Sequence, residues 1–329
     1  MDDAPESALR ARDATRAIGL VPATGVGVGA IVGGGVVVLA GAAFQHAGPA
    51  ALLAFALNGV VALLTAFSYA ELGTAFPESG GAYVFAKKIL SVRAAFAVGW
   101  VLWFAYIVGA VLYALGFAEY ASALVADVFR TAGSTPPAFL EGRRMLIGLA
   151  LCALGAFTLA LVRRPAGGGA FATVGKLVTF AVLIAAGLWA VGVRGGGSIR
   201  RDFVPFLPHG FSGVLSAMGT TFIAVQGFEL VAGIGGEVKD PRRVIPRATF
   251  LSLALAMLVY LPFLFVIITA GTAPGTNIVE LSSAHPDTVV AVAVGEYMGR
   301  FGTSWSWSPH CSRPSPPSRP VCSRPRAWP

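Results

Sequence analysis

Charged side chains are scarce in this sequence of 329 residues. Asp, Glu, Lys and Arg make up 12% of it, whereas a soluble globular protein has about 25%. Four long stretches hold no charged residue at all: 17–70, 94–118, 203–228 and 248–279. Because a helix needs about 20 apolar residues to cross a bilayer, the longest of these stretches must contain two crossings. The composition excludes a soluble globular protein and predicts an all-α membrane protein.

Cysteine is also rare, and its placement excludes two kinds of site. The spacing of Cys152, Cys311 and Cys322 fits neither a metal site nor a disulfide framework, so we expect no metal and no cofactor. The first sixteen residues are polar and the apolar segment after them is too long for a signal peptide, so we expect no cleaved leader. The net charge of +8 comes from basic residues in short loops without a continuous stripe, which argues against a nucleic-acid partner.

The apolar segments divide into seven complete spans and part of an eighth. We place the spans at 18–41, 49–75, 94–128, 144–162, 170–193, 211–236 and 247–271, with an eighth beginning near 288. If the N-terminus is cytoplasmic, twelve Lys and Arg residues lie inside and six outside. Short cytoplasmic loops carry the excess of these residues, so we expect a cytoplasmic tail at 1–17 and a multi-pass cell-membrane domain at 18–300.

The last segment, 303–329, has a different composition from the rest. It contains seven Pro, seven Ser, four Arg and three Trp but no acidic residue, a mixture typical of disorder rather than of a packed core. If serine is encoded by TCN codons, reading the Trp-Ser codons of this segment one base earlier gives Val codons, which would continue the apolar run at 289–294. We therefore expect an out-of-frame tail that truncates the eighth span.

Glycine is concentrated in the first span. Six glycines fall within the eleven positions 25–35, and each costs a helix interior about 1 kcal/mol relative to Ala. One interpretation is close helix packing, since Gly25, Gly29 and Gly33 follow a small-xxx-small pattern. The other is a helix interrupted at Gly33, Gly34 and Gly35, with backbone N–H and C=O groups exposed to a buried ligand. We favour interruption for the glycine triplet and packing for Gly25 and Gly29.

Three motifs carry a resemblance to a known family. The motifs are Gly33-Gly34-Gly35-Val36-Val37; Tyr69-Ala70-Glu71-Leu72 with Pro77-Glu78-Ser79-Gly80-Gly81-Ala82-Tyr83; and Gly227-Phe228-Glu229 with Glu237-Val238-Lys239-Asp240-Pro241-Arg242-Arg243-Val244-Ile245-Pro246. In this order and spacing they resemble the amino acid–polyamine–organocation permease superfamily, over about 18–302. The resemblance implies a LeuT-like inverted-repeat transporter bundle with helices one and six broken at mid-membrane. The first five-helix repeat would be complete and the second truncated.

The resemblance also implies a substrate site between the two broken helices. A helix break leaves unpaired N–H groups where its second half begins and unpaired C=O groups where its first half ends. The N–H groups of Gly34, Gly35 and Val36 can therefore bind the carboxylate of an amino acid. The backbone carbonyl groups at the end of each first half-helix can accept hydrogen bonds from its ammonium. These carbonyl groups belong to Ala30, Ile31, Val32, Ala224, Val225 and Gln226. We add Gly227 and Phe228, which is either a pocket wall or ordinary core.

Two charged residues within the spans are candidates for coupling. A charge at the bilayer centre costs roughly 3 kcal/mol, so we expect Glu229 to face a cavity and to line the ligand path or carry a proton. The alternative is a buried carboxyl bonded to a neighbouring helix. Lys176 in the fifth span resembles a lysine that replaces a sodium ion in proton-coupled relatives. The alternative is a side chain that snorkels to the cytoplasm.

The remaining charged positions indicate a structural or gating role on the cytoplasmic side. They are Glu71, Glu237, Lys239, Asp240, Arg242 and Arg243. We expect this protein to be no enzyme but a proton-coupled amino acid permease that works by alternating access. The alternatives are a seven-helix receptor or sensor, and a non-transporting fragment.

Overall fold

The structure is a computed structural model that describes residues 16–135, 137, 142–163, 168–194, 196–273 and 275–299. The described residues contain thirteen α-helices and no β-strand beyond isolated bridges. The first seven helices are α1 Leu20–Ile31, α2 Gly34–Ala47, α3 Ala51–Ala75, α4 Gly81–Ile89, α5 Val92–Thr131, α6 Arg143–Arg163 and α7 Gly168–Arg194. The others are α8 Gly196–Asp202, α9 Gly210–Thr221, α10 Glu229–Gly233, α11 Pro241–Thr269, α12 Ile278–Ala284 and α13 Val289–Met298.

The membrane-spanning segments agree with the composition. Six helical segments within the described residues are long and apolar enough to cross a membrane, and the first, Leu20–Ala75, contains both the first and the second predicted spans. The prediction of an all-α membrane protein is confirmed. The ends 1–15 and 300–329 lie outside the described residues, so the cytoplasmic tail and the out-of-frame tail stay predictions.

The first span is interrupted where the glycines concentrate, but not at all three residues of the triplet. Helix α1 ends at Ile31 because Val32 has an extended backbone (ψ 100°), as does Gly33 (φ −153°, ψ −159°). Gly34 and Gly35 are helical and form the first turn of α2. The predicted break is therefore corrected to Val32 and Gly33. Gly25, expected to pack, would present an added Cβ to open space, whereas Gly27 is in close contact with Ser252 and Val231.

The sixth span is likewise not continuous. After α9 the chain tightens into a 3-10 helix, Phe222–Val225, and then becomes extended at Gln226 (ψ 156°). Gly227 has φ +127°, a conformation that residues with a Cβ rarely adopt, and α10 begins two residues later. This geometry separates α9 from α10 in a segment that hydropathy alone predicts as one span.

Three short helices fall where the sequence gives no apolar signal. Helices α4, α8 and α12 are seven to nine residues long and lie between the predicted spans. Helix α11 begins where Asp240 and Pro241 occur in the sequence: Asp240 occupies the N-cap position without a side-chain capping hydrogen bond, and Pro241 is the first helical residue. Helix α5 has 40 residues, a length of about 60 Å at 1.5 Å per residue, twice the hydrocarbon thickness.

The core lies where the interrupted helices pack on α3 and α11. Phe44, Phe55, Tyr260 and Phe263 are fully buried there, and Phe55 meets Tyr260 edge to face at 6.1 Å. Helices α5 and α6 stand at the periphery and expose large apolar side chains. We call the end of the bundle where α1 begins the near end, and the end where α7 and α11 finish the far end.

Candidate substrate site

The two interruptions touch each other in the middle of the bundle. A Cβ added to Gly227 would lie 2.8 Å from the carbonyl carbon of Ala30 and from the nitrogen of Ile31. A Cβ added to Gly35 would lie 3.3 Å from Cα of Ala224. Glycine at these two positions therefore allows the backbones of the first and sixth spans to approach directly. The predicted site residues of both spans are brought together.

The carbonyl groups at this junction converge on Tyr260 of α11. Its hydroxyl lies 2.6 Å from the carbonyl oxygen of Ile31 and 3.1 Å from that of Ala224, and it donates to these oxygens. Both oxygens belong to the set predicted to accept from a substrate ammonium. Tyr260 was not among the predicted site residues, although a tyrosine inside an apolar span is a signal, because a buried hydroxyl needs a partner.

The N-terminus of α2 lies on the other side of the site and supplies hydrogen-bond donors. Gly34, Gly35 and Val36 occupy its first three positions, and N–H groups there have no acceptor earlier in the same helix. The partial positive charge of the helix end favours an anion at this point. The hydroxyl of Tyr113 lies beside it, 3.1 Å from the Cβ position of Gly35. Carbonyl acceptors and amide donors thus flank one junction, as the ammonium and carboxylate of an amino acid require.

Helix α5 presents three tyrosines to the interrupted first and sixth spans. Tyr120 donates to the carbonyl oxygen of Val37 at 3.3 Å. The hydroxyl of Tyr113 lies beside Gly35, and Tyr106 lies beside the carboxylate of Glu229. The three residues recur at seven-residue spacing and therefore lie near one face of α5, and their hydroxyl groups lie beside the site from α2 to α10.

Glu229 lies at the first position of α10 and bonds to the junction itself. Its Oε2 accepts from the N–H of Gly227 at 2.7 Å, and the hydroxyl of Tyr106 on the neighbouring helix α5 also lies beside the carboxylate. Glu229 also lines a cavity of about 350 Å³ together with Tyr69 and the loop at Gly80. Phe228 is 4% exposed and meets Tyr69 edge to face at 6.0 Å. The cavity lies between α1, α10 and the loop before α4.

Lys176 points inward from α7. Its Nζ donates to the carbonyl oxygen of Gly29 in α1 at 2.6 Å, so the side chain does not extend to the near-end surface. Gly29 also contacts Thr173, one turn before Lys176. The geometry joins a cationic group to the half-helix that ends at the junction.

The predicted gating cluster lies at the near end. There the backbone of Ile18 pairs with the link after α10, through Ile18 N to Glu237 O at 3.0 Å and Lys239 N to Ile18 O at 2.8 Å. Arg243 and Asp240 form an exposed ion pair at 3.7 Å, a kind worth little to stability. Arg242 and Glu71 are exposed as well. The cluster is thus spatially separate from Tyr260. It joins the elements of the near end through backbone hydrogen bonds more than through ion pairs.

Comparison with known proteins gives the family. The sequence profile described as amino acid permease matches residues 18–306 of this chain. The chain belongs to the amino acid permease family. It is 30% identical to human cationic amino acid transporter 4 over 305 residues, which is 89% of this chain and 45% of that protein.

Two further relatives extend the comparison to plants and bacteria. The chain is 33% identical to Arabidopsis thaliana cationic amino acid transporter 9, chloroplastic, over 75% of its own length and 44% of the relative's. It is 27% identical to the branched-chain amino acid permease BcaP of Bacillus subtilis over 85% of its length and 60% of that protein's. The chain therefore spans about half the length of the curated relatives it matches.

Proposed function

We propose that this chain binds amino acids at the junction of its two interrupted helices and moves them across the membrane by alternating access. The observation that carries the proposal is the meeting of opposite poles: carbonyl oxygens of Ile31 and Ala224 on one side, and the amide end of α2 on the other. Backbone groups recognise what all amino acids share, so side chains around the junction would set the preference among them.

Relatives with printed substrates guide the choice of ligands to test. The matched proteins include transporters named for cationic amino acids, branched-chain amino acids and GABA. In this chain Glu229 places a carboxylate beside the junction, which favours a ligand with an additional positive charge. We propose cationic amino acids as the first class to examine.

Proton coupling is proposed for Lys176. A protonated Lys176 holds the Gly29 carbonyl and with it the C-terminal part of α1. Loss of the proton would weaken this contact and free α1 to move, linking its position to the proton gradient. We further propose a cell-membrane location with the near end cytoplasmic, which the excess of Lys and Arg at that end supports.

The test is uptake of labelled arginine, leucine and GABA into proteoliposomes that contain the full chain, with and without an inward-directed proton gradient. We expect gradient-driven uptake of arginine, and loss of the gradient dependence in Lys176→Met. Lys87→Met is the matched control, because Lys87 is an exposed lysine at the near end. Uptake that is equally gradient-dependent in Lys176→Met would contradict the coupling proposal.

A binding measurement on the same chain separates the alternatives. Saturable binding of arginine without uptake would favour a receptor or sensor, whereas neither binding nor uptake would favour a chain that does not transport alone. Binding is measured at equilibrium in nanodiscs, so that it does not depend on a sealed membrane.

A further inference from the structure

A second cavity lies at the far end of the bundle, away from the junction. It has a volume of about 730 Å³ and lies between the last turns of α7, the short helices α8 and α12, and α13. Trp189 forms part of its wall and is 66% exposed, so the cavity opens to the outside of the bundle. None of the residues assigned above to substrate binding or coupling lines it.

Charged side chains of both signs line this cavity. Two guanidinium groups belong to Arg194 and Arg201, and three carboxyl groups belong to Asp202, Glu280 and Glu296. Within the described part of the chain, none of these carboxylates lies within 4.0 Å of either guanidinium. The charges are therefore dispersed around the cavity rather than paired with one another, and they leave one negative charge in excess.

Packing holds part of this arrangement in place. The Nη1 of Arg194 donates to the carbonyl oxygens of Thr269 at 3.2 Å and Thr272 at 3.0 Å, which places its cationic group at the C-terminal end of α11. Burial raises the pKa of Asp202, and the nearby Arg194 acts in the opposite direction. Among the described residues, no hydrogen-bond acceptor other than these two carbonyl oxygens pairs with Arg194 and none pairs with the guanidinium of Arg201, so both side chains have N–H groups available for an anion.

The pattern restricts the ligand. No group of three His, Cys, Asp or Glu side chains among the described residues is close enough to hold a metal ion, so the three carboxylates do not form a cation site. Tyr297, 4% exposed, also lines the cavity, and its hydroxyl has no hydrogen-bond partner in the described structure. A dispersed set of opposite charges suits an extended ligand that carries both charges itself.

We propose that the far-end cavity is a second amino acid site, selective for dibasic amino acids. The α-carboxylate would bind the guanidinium of Arg201, since carboxylate and guanidinium pair in a two-pronged geometry. The α-ammonium and the side-chain cation would bind Glu280 and Glu296. A ligand with one net positive charge balances the single excess carboxylate, whereas a neutral amino acid does not. The proposal does not rest on the proposed transport function, because binding here needs neither the helix junction nor flux.

The test measures how many labelled arginine molecules bind per chain, using the full chain in nanodiscs. We expect two bound arginine molecules per unaltered chain and one per chain of the double variant Glu280→Gln/Glu296→Gln. Excess leucine should displace this remaining arginine only if the junction accepts neutral amino acids. Glu78→Gln is the matched control, since Glu78 is an exposed near-end carboxylate paired with Lys88. Arg201→Gln should weaken arginine binding at this site at least tenfold but leave agmatine, which lacks the carboxylate, little changed.

A second measurement keeps the charged residues intact. Thr276 lines the cavity and is exposed, so Thr276→Cys can be labelled with a maleimide in a chain whose Cys152, Cys311 and Cys322 are replaced by Ser. Arginine should slow this labelling severalfold and leucine should not. The proposal is overturned if arginine gives no protection and the Glu280→Gln/Glu296→Gln chain binds as much arginine as the control. If arginine binds in the far-end cavity but not at the junction, the unaltered chain should bind one arginine molecule, and arginine should still slow the labelling of Thr276→Cys.

Discussion

Tyr260 has one hydroxyl proton and two carbonyl oxygens within reach. The oxygen of Ile31 is nearer, at 2.6 Å, and that of Ala224 lies at 3.1 Å, so a single donor serves both interrupted spans. A substrate ammonium has three donors and could satisfy both oxygens at once. At the residue scale, Tyr260 therefore occupies acceptors that an arriving amino acid would use.

The first prediction concerns Tyr260→Phe. Removing the hydroxyl leaves two buried carbonyl oxygens without this donor, and an unsatisfied buried group costs about 1–3 kcal/mol. We expect a lower midpoint of thermal unfolding in detergent, and a larger upward shift of that midpoint on adding arginine, because the ammonium replaces the lost donor. Tyr83→Phe, at a tyrosine 41% exposed, serves as control and should leave both values unchanged. Equal midpoints of thermal unfolding for Tyr260→Phe and Tyr83→Phe would show that the Tyr260 hydroxyl does not stabilise the junction.

Gly227 gives the second prediction. Its φ of +127° and the 2.8 Å approach to the backbone of Ala30 and Ile31 leave no room for a methyl group. Because backbone atoms cannot rotate away, we expect Gly227→Ala to separate the two interrupted helices and to reduce arginine binding at the junction more than tenfold.

The matched control for this substitution is Gly219→Ala in α9. A Cβ there would meet open space, and alanine is favoured over glycine inside a helix by about 1 kcal/mol, so binding and stability should be retained. A Gly227→Ala chain that binds arginine as tightly as the Gly219→Ala chain would argue against direct contact of the two breaks.

At the scale of elements, the near-end halves of both interrupted spans are tied together. Ile18, just before α1, pairs its backbone with Glu237 and Lys239, and the N–H of Gly80 donates to Gly233 at the end of α10 at 2.9 Å. Helices α1 and α10 therefore form one unit with the loop before α4. By contrast, at the other end of α1 two single side chains, Lys176 and Tyr260, donate hydrogen bonds to its carbonyl oxygens, beside the packing contact with Gly227.

The third prediction follows from this difference in attachment. Ile18 and Val238 lie opposite each other in an isolated parallel bridge, so a disulfide between Ile18→Cys and Val238→Cys should close in a chain with its three cysteines replaced by Ser. If α1 must separate from the link to release substrate at the near end, the oxidised chain should bind arginine but not transport it. Reduction should restore uptake. Full uptake by the oxidised chain would mean that α1 and the link move together.

The sequence allowed the spans and the approximate breaks to be predicted, but not their contacts. A charge-free run extends over the whole length of a span, so the spans could be located from the sequence. Separately, the glycines of the first span indicated an interruption near Gly33. The extended residues were Val32 and Gly33, since a helix can accept glycine in its first turn. Tyr260 was missed because a tyrosine's partner depends on which helices pack beside it, and no local pattern encodes that packing. Short helices such as α12 were missed because they need no apolar run.

At the scale of the whole molecule, the helices that carry the junction are also the most buried. The first, second, sixth and seventh spans are about half enclosed by other helices, whereas α5, α6 and most of α7 expose their apolar faces. Trp100 and Phe157, 60% and 65% exposed, lie on those faces, which a bilayer would cover. The junction is thus held in a central group of spans, and its access routes must open at the near and far ends.

The last prediction is the direction in which these ends face. In the sequence, twelve Lys and Arg residues fall in the segments predicted to be cytoplasmic and six in the segments predicted to lie outside, and short cytoplasmic loops are the ones enriched in these residues. We therefore expect the cavity beside Glu229 to open to the cytoplasm and the cavity beside Arg201 to open to the outside. The measurement is labelling of single cysteines in intact cells with a membrane-impermeant maleimide, in the chain without its own cysteines.

Ser134→Cys reports the far end and Lys87→Cys the near end, and both positions are exposed. Ser134→Cys should label in intact cells and Lys87→Cys only after the membrane is permeabilised. The reverse pattern would place Arg201 and Glu280 in the cytoplasm. A dibasic amino acid would then meet the far-end cavity after leaving the junction on import, so that cavity would sense the cytoplasmic rather than the external concentration.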